Sequence, residues 1–255
     1  MRSHSHFRWR RLARGGVALL IVLSGSLCAR AQSTSVRGKV EVARSAATKA
    51  SPAVSNVLQA SDVVVWLTPL DSDSATDFPR SSSGPVQLVQ RNKSFEPHVL
   101  VVRVGSVVHF PNKDPFFHNV FSLFDGKRFD LGLYEAGSSN SVRFDRAGVS
   151  YLFCNIHPEM SAIVIAVPTP YFAVTDASGQ WTIPNVPDGR YRLHVWYERS
   201  SLEDLEKLQR DVVISETARS VELIRVVATA APNSAHKNKY GKDYVPPSSS
   251  AYSNP

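Results

Sequence analysis

The chain has 255 residues, a length that suits one large domain or two small ones. Its formal net charge is +7, but six arginines lie within residues 1–31, a stretch without acidic side chains. The rest of the chain carries 23 basic and 22 acidic side chains, a net charge of +1, so the basic balance does not indicate nucleic-acid binding. No segment after residue 31 approaches the ~20 apolar residues of a membrane-spanning helix.

Residues 1–31 have the pattern of a secretory signal peptide. Arginines come first, residues 17–23 are apolar, and Ala29-Arg-Ala31 places small residues at the cleavage positions. We expect cleavage after Ala31 and a periplasmic or secreted protein. Lipoprotein processing at Cys28 is an alternative, which is disfavoured because the residue before this cysteine is large.

Most of the sequence from residue 36 to residue 227 consists of short β-rich runs separated by Gly, Pro, Asn and Asp. This spacing predicts an all-β protein built from sandwiches, because βαβ folds would alternate strands with long helical patterns. Gly105-Ser106 has the composition of a tight hairpin turn between two of these runs. The predicted strands include 63–67, 86–89, 100–104, 107–110, 142–144, 151–153 and 163–167.

Three segments differ from this pattern. Residues 201–210 predict a short amphipathic helix, because a capping serine precedes acidic residues and leucines recur every third position. Residues 71–85 have the composition of a linker. Residues 229–255 are polar and without periodicity, which predicts a disordered tail.

The segment Cys154-Asn-Ile-His157-Pro-Glu-Met160 places a thiolate, an imidazole and a thioether within seven residues. A second imidazole, that of His118, comes 36 residues before the cysteine. Copper uses such a set in electron-transfer sites, with two imidazoles and a thiolate in a trigonal plane and a distant thioether as the axial ligand. Metals that prefer oxygen ligands, such as magnesium and calcium, bind this set of ligands poorly. Structural zinc normally takes a fourth strong ligand.

Cysteine usage supports metal ligation. Removal of the signal peptide leaves Cys154 as the single cysteine, so no disulfide can form within the exported chain. An unpaired thiol in an oxidising compartment needs another role. We therefore expect one copper ion bound by His118, Cys154, His157 and Met160.

Residues 84–168 resemble a cupredoxin domain of the plastocyanin and amicyanin type. The resemblance rests on residues 95–114, on His118-Asn-Val, and on residues 148–154 followed by the Cys-x-x-His-x-x-Met spacing, which is similar to that of amicyanin. It implies a Greek-key β-sandwich with one type 1 (blue) copper at the four residues named above. It also implies that Asn119 is the asparagine that steadies the thiolate loop.

Residues 172–196 contain enough strand-like and turn-like segments for two β-hairpins. They resemble a carboxypeptidase regulatory-like (transthyretin-like) β-sandwich. The Gly-x-Val strand and the apolar strand that open such domains are absent there, but residues 36–42 and 62–67 supply them. We therefore expect a second small sandwich formed by residues 36–70 and 170–228, with the cupredoxin domain inserted between its halves. This hypothesis requires the strand at 62–67 to pair within the second half.

The resemblance implies a carrier of single electrons between redox partners. It implies no enzyme, and the sequence has neither a His-Glu-x-x-His motif nor a nucleophile elbow. Two alternatives stay open: copper storage or delivery by the same ligands, and a surface-interaction β-protein without a redox role. Storage or delivery often uses additional methionines, whereas only Met160 follows residue 31.

The expected route for the electron is the imidazole of His157, whose edge is predicted to reach solvent. Four phenylalanines surround the first ligand in the sequence: Phe116, Phe117, Phe121 and Phe124. They form either core or an apolar docking patch. We expect a redox partner of unknown identity to dock near Phe116, Phe117 and His157.

Overall fold

The computed structural model describes residues 35–45, 57–71, 85–123, 126–229 and 237–244. The predicted signal peptide and most of the predicted linker lie outside these residues. The described part contains eighteen strands and one helix, α1 (Leu202–Lys207), so the all-β prediction is confirmed. The strands are β1 (Val36–Arg44), β2 (Val57–Leu58), β3 (Val64–Pro69), β4 (Val86–Gln87), β5 (Val89–Arg91), β6 (Ser94–Glu96), β7 (Val99–Arg103), β8 (Ser106–Pro111), β9 (His118–Ser122), β10 (Phe129–Tyr134), β11 (Ser139–Phe144), β12 (Gly148–Phe153), β13 (Ser161–Val167), β14 (Phe172–Val174), β15 (Gln180–Ile183), β16 (Gly189–Trp196), β17 (Arg210–Ile214) and β18 (Ile224–Ala228).

Strands β4 to β13 form what we call the first sandwich. Its larger sheet has the order β10-β9-β12-β13-β7, and its smaller sheet has the order β11-β8-β4, with β5 and β6 paired beside them. Apolar side chains of both sheets, including Phe110, Leu152 and Val164, are fully buried in one cluster between them. Strands β9 and β12 are neighbours in the larger sheet, where Phe121 pairs with Phe153.

Strands β1 to β3 and β14 to β18 form what we call the second sandwich. One of its sheets joins β1 to β15, β18 and β2, and the other has the order β14-β3-β16-β17. Leu67 of β3 pairs with Leu193 of β16, and Val40 of β1 pairs with Ile224 of β18. Strands β1 and β3 therefore pair with strands that follow the first sandwich in the sequence.

The two sandwiches pack against opposite faces of strand β13. Ile163 and Ile165 lie in the apolar cluster of the second sandwich, whereas Ala162 and Val164 lie in that of the first. Successive side chains of a strand point to opposite faces, so both faces of β13 are buried. This explains why residues 163–167 form an unbroken apolar run rather than an alternating one.

The predicted hairpin at Gly105-Ser106 is wrong. Strand β7 pairs with β13 in the larger sheet, and β8 pairs with β11 and β4 in the smaller one. Gly105, at φ +91°, turns the chain from one sheet to the other. Its N–H donates to the Phe144 carbonyl oxygen at 2.6 Å, which fixes the turn against β11. A glycine that favours positive φ signals a reversal, but it does not specify which strands pair.

The helix predicted over residues 201–210 is present but shorter. Ser201 caps it, its hydroxyl accepting a hydrogen bond from the Asp204 N–H at 3.1 Å. Leu205 is the buried residue of this helix. The helix ends at Lys207, and strand β17 begins three residues later at Arg210. Six residues of amphipathic helix are too few to cross a membrane, and the described residues contain no other helix.

Candidate metal centre

Three ligand atoms face one another at one end of the first sandwich. His118 is the first residue of β9, Cys154 follows β12 directly, and His157 lies in the loop that leads to β13. The Cys154 Sγ lies 3.8 Å from His118 Nδ1 and 3.6 Å from His157 Nδ1, and the two Nδ1 atoms are 3.1 Å apart. Neighbouring strand ends thus bring together residues that are far apart in the sequence.

The spacing of these atoms fits a single metal ion. Bonds of about 2.0 Å to nitrogen and 2.3 Å to sulfur, the lengths seen for zinc, put trigonal ligand atoms about 3.5–3.7 Å apart. The three sides of the triangle, from 3.1 to 3.8 Å, bracket that value. Two imidazoles and one thiolate suit copper or zinc better than magnesium or calcium. All three side chains are buried, so water competes little for the ion.

Asp114 orients the first imidazole, a role that sequence reasoning missed. The Nε2 atom of His118 lies 2.7 Å from the Asp114 carboxylate, and both residues are buried. A proton on Nε2 leaves the lone pair of Nδ1 free for a metal. Burial raises the pKa of Asp114, but hydrogen bonds from Lys93, His118 and Asn92 outweigh it, so the pKa falls below its ordinary value.

The groups that hold this carboxylate come from a left-handed turn. Asn92 and Lys93 have φ values of 53° and 54°, and their N–H groups donate to the two oxygens of Asp114 at 2.6 and 2.9 Å. Successive N–H groups in a turn form a concave site for an anion. The sequence offered one weak signal, an aspartate four residues before a ligand histidine.

Two opposing effects act on the thiol of Cys154. Burial raises the pKa of its thiol, and backbone N–H groups of Asn119, Ile156 and His157 partly offset that effect. Burial also lowers the pKa of His157, and the neighbouring His118 lowers it further, which favours the neutral imidazole that a metal requires. A bound cation would supply the charge that stabilises the thiolate.

Met160 closes the segment that we call the ligand loop, residues 154–160. Its N–H donates to the His157 carbonyl oxygen at 3.1 Å, and its carbonyl oxygen accepts from the Cys154 N–H at 3.3 Å. The side chain is fully buried and belongs to the same apolar cluster as Cys154. The structure therefore gathers the four predicted ligand residues at one end of the first sandwich.

Asn119 lies beside the ligand loop. Its side-chain Nδ2 donates to the Asp130 carboxylate at 2.7 Å and to the Gly132 carbonyl oxygen at 2.8 Å, which ties β9 to β10. Its backbone N–H faces the sulfur of Cys154. The contact to the thiolate therefore runs through the backbone of this residue, while its side chain braces the neighbouring strand.

The expected exposure of His157 is wrong. The side chain is 5% exposed, and its Nε2 atom is buried without a hydrogen-bond partner among the described residues. The Phe116 ring lies close to it, with centroids 5.6 Å apart. Phe121 is core, whereas Phe117 is 55% exposed, and Phe124 lies outside the described residues. The described phenylalanines thus divide between core and surface.

Residues 237–244, which the sequence places in a disordered tail, are described and lie against the ligand loop. The Lys239 N–H donates to the Asn155 side-chain oxygen at 3.0 Å, and the Tyr244 hydroxyl donates to the Cys154 carbonyl oxygen at 2.7 Å. For these eight residues the prediction is corrected. Their lack of periodicity reflects an irregular turn that packs on the first sandwich.

A comparison with curated proteins gives no match. One family model matches, described as polysaccharide lyase family 4, domain II, and it covers residues 169–220. That segment lies in the second sandwich. The matched family is not the carboxypeptidase regulatory-like one, so the latter resemblance is not confirmed.

Among solved structures, cupredoxins are similar to part of the chain. A novel purple cupredoxin from Nitrosopumilus maritimus is 23% identical, covers 32% of this chain and 99% of its own, and has a TM-score of 0.30. The Cu(I) form of an amicyanin mutant is 19% identical, with 40% and 98% covered and a TM-score of 0.32. The copper-containing nitrite reductase of Thermus scotoductus SA-01 is 25% identical, with 39% and 27% covered and a TM-score of 0.32. The assignment of a metal to this chain rests on its own ligand geometry.

Proposed function

We propose that this chain is an exported type 1 copper protein that passes single electrons between redox partners. The observation that supports the proposal is the buried triangle of His118, Cys154 and His157, whose ligand atoms lie 3.1–3.8 Å apart. Two imidazoles, one thiolate and the nearby thioether of Met160 are the ligands that copper takes in electron-transfer sites.

The surrounding residues suit a site that keeps one shape in two oxidation states. When bound, copper supplies a one-electron couple, Cu(II)/Cu(I). Asp114 holds the ring of His118, backbone N–H groups surround the sulfur of Cys154, and burial keeps water away from the ligands. Ligands that are fixed in advance need little rearrangement when the charge of the site changes.

The same burial argues against copper delivery. A delivery site must release its ion to a partner, which is easier when the ligands are open to solvent. Here each of the three ligand residues is buried. The described residues contain a single methionine near the site, Met160, rather than the several that trafficking proteins often use. We therefore favour electron transfer over storage or delivery.

A redox partner would dock at the surface next to the ligands. Phe117, which follows Phe116 and precedes His118, is 55% exposed, and Ile156, which precedes His157, is 39% exposed. An exposed apolar side chain next to each of the two ligand histidines suits a transient apolar contact. We place the docking site near Phe116, Phe117 and His157, in a periplasmic or secreted protein without catalytic groups of its own.

Copper loading of residues 32–255 tests the proposal. We expect an intense visible band from thiolate-to-copper charge transfer, which Cys154→Ser abolishes. His118→Gln should also remove it, whereas His109→Gln, a matched change on β8, should leave it unchanged. A colourless protein after loading would contradict the proposal. Reversible reduction and reoxidation would support a carrier, and loss of the metal on reduction would instead indicate delivery.

A further inference from the structure

Residues 237–244 form a compact turn with its own hydrogen bonds. The Asn238 side-chain oxygen accepts from the N–H groups of Tyr240 and Lys242 at 3.0 and 3.1 Å. Its backbone N–H donates to the Lys242 carbonyl oxygen at 2.9 Å, and its carbonyl oxygen accepts from the Gly241 N–H at 2.9 Å. Gly241 has a φ of +73°, which glycine adopts without strain. The segment therefore has a defined shape.

This turn contacts the ligand loop at two successive residues. The Tyr244 hydroxyl donates to the carbonyl oxygen of Cys154 at 2.7 Å, and the Lys239 N–H donates to the side chain of Asn155 at 3.0 Å. The two contacts act on the cysteine ligand and on the residue that follows it.

A third contact connects the turn to the strand beside the loop. The Lys239 ammonium group lies 2.7 Å from the Asp130 carboxylate, and the lysine side chain is mostly buried. Asp130 also accepts a hydrogen bond from the side chain of Asn119, whose backbone N–H faces the cysteine sulfur. The turn thus bridges the ligand loop, which contains Cys154, and β10, which the side chain of Asn119 ties to β9.

We propose that residues 237–244 are a strap that fixes the ligand loop, with Tyr244 and Lys239 as positioning residues for the metal. This inference rests on the proposed copper site. Cys154 follows the last residue of β12, and the Met160 carbonyl oxygen holds its N–H but not its carbonyl group. The strap restrains its carbonyl group and thereby limits how far the sulfur moves from the two imidazoles. A looser loop would let the ion leave faster.

Truncation tests the strap as a whole. A chain that ends at Thr229 lacks the strap, and a matched chain that ends at Tyr244 keeps it. Both are loaded with Cu(II), and release to excess EDTA is followed by loss of the charge-transfer band. We expect release more than about tenfold faster without the strap, because several hydrogen bonds are lost at once. Equal release rates for the two chains would overturn the proposal.

Single substitutions test the two positioning residues. Tyr244→Phe removes one hydroxyl and therefore one hydrogen bond. We expect copper release about 2–10-fold faster and a shifted charge-transfer band. The control is Tyr240→Phe, since Tyr240 lies in the same turn, is 69% exposed and contacts Lys239 rather than the ligand loop. Lys239→Met should also speed release, and Lys239→Arg should restore it. A Tyr244→Phe protein that behaves like Tyr240→Phe would contradict the assignment.

The metal-free protein gives an independent reading. Amide hydrogen exchange of residues 155–160 should be faster in the chain that ends at Thr229 than in the one that ends at Tyr244. If the chain binds no copper but shows this difference, the proposed function fails and the strap stands. If exchange of the loop is equal in the two chains, the strap fails whatever the metal does.

Discussion

Asp114 is the residue with the most specific role around the site. Its Oδ1 atom accepts from the Asn92 N–H, and its Oδ2 atom accepts from both the Lys93 N–H and His118. In Asp114→Asn one of these oxygens becomes an NH₂ group, which cannot accept. We expect metal affinity to fall about 10–100-fold, the usual cost of losing the partner of a ligand histidine. Competition with a chelator of known affinity measures it.

The matched control for this change is Asp145→Asn. Asp145 is exposed and pairs with Lys127 on the protein surface. Its substitution removes the same charge without touching His118. Equal affinities of the two variants would show that Asp114 does not orient the imidazole. A loss that is confined to Asp114→Asn would separate orientation from a general charge effect.

The candidate ligands could be predicted from the sequence because three of them, Cys154, His157 and Met160, lie within seven residues. His118 could be predicted from the residues around it. Asp114 could not be assigned, because its role depends on the left-handed turn at Asn92 and Lys93, which comes from a different part of the chain. Nothing in a single sequence says that these N–H groups face that carboxylate.

At the scale of elements, the ion pair between His98 and Glu198 connects the two sandwiches. His98 precedes β7, Glu198 follows β16, and His98 Nε2 lies 2.9 Å from the Glu198 carboxylate. The hydrogen bond that the His98 ring donates to the Glu198 carboxylate raises the pKa of His98 above its ordinary value of 6.5. Burial opposes the rise, and the charge of Asp62 adds to it. Protonation of His98 therefore stabilises the folded state relative to the unfolded state.

This pair predicts a pH dependence of stability. A raised pKa in the folded state means that the stabilisation is complete below about pH 6.5 and disappears as the pH rises through the folded pKa. The side chain of His98 is 40% exposed, so solvent screening limits the effect to about 1 kcal/mol or less. Urea unfolding at pH 5.5 and pH 8.5 should show a gap between the native protein and His98→Gln that narrows at the higher pH. A gap that widens instead would contradict the sign.

Strands were predicted more reliably than their partners. The runs at 100–104 and 107–110 do form strands, but β7 and β8 lie in different sheets. A turn of suitable composition describes only the local reversal. Pairing depends on which apolar faces each strand buries, and β7 buries Val101 against the second sandwich and Val102 against the first. Such two-sided burial is set by the whole fold.

At the scale of the molecule, segments that are far apart in the sequence come together. Strands that could open a sandwich are absent before residue 172 and present at 36–42 and 62–67, and in the structure β1 pairs with β15 and β18, and β3 pairs with β16. The strap gave no such signal. Its contacts join residues 84 to 109 positions apart through one tyrosine, one lysine and a backbone N–H, which leave no pattern in the sequence.

Strand β13 contributes side chains to the cores of both sandwiches, and this predicts that the two sandwiches unfold together. After residue 31 the tryptophans are Trp66, Trp181 and Trp196, which all lie in the second sandwich, whereas the charge-transfer band reports on the first. Because Ile163 and Ile165 of β13 pack into the second sandwich, loss of one core exposes the other. We expect tryptophan fluorescence and the copper band to give the same midpoint in thermal unfolding.

Copper should also raise that midpoint as seen by tryptophan, because a ligand that binds only the folded state stabilises everything that unfolds with its site. Loading with a hundredfold excess of copper over its dissociation constant corresponds to about 2.7 kcal/mol, a rise of several degrees that fluorescence resolves easily. Cys154→Ser with the same copper should show no rise. The contrary result would be two separate midpoints, or a fluorescence midpoint that copper does not change. Either would mean that the packing between β13 and the second sandwich is too weak to couple the unfolding of the two cores.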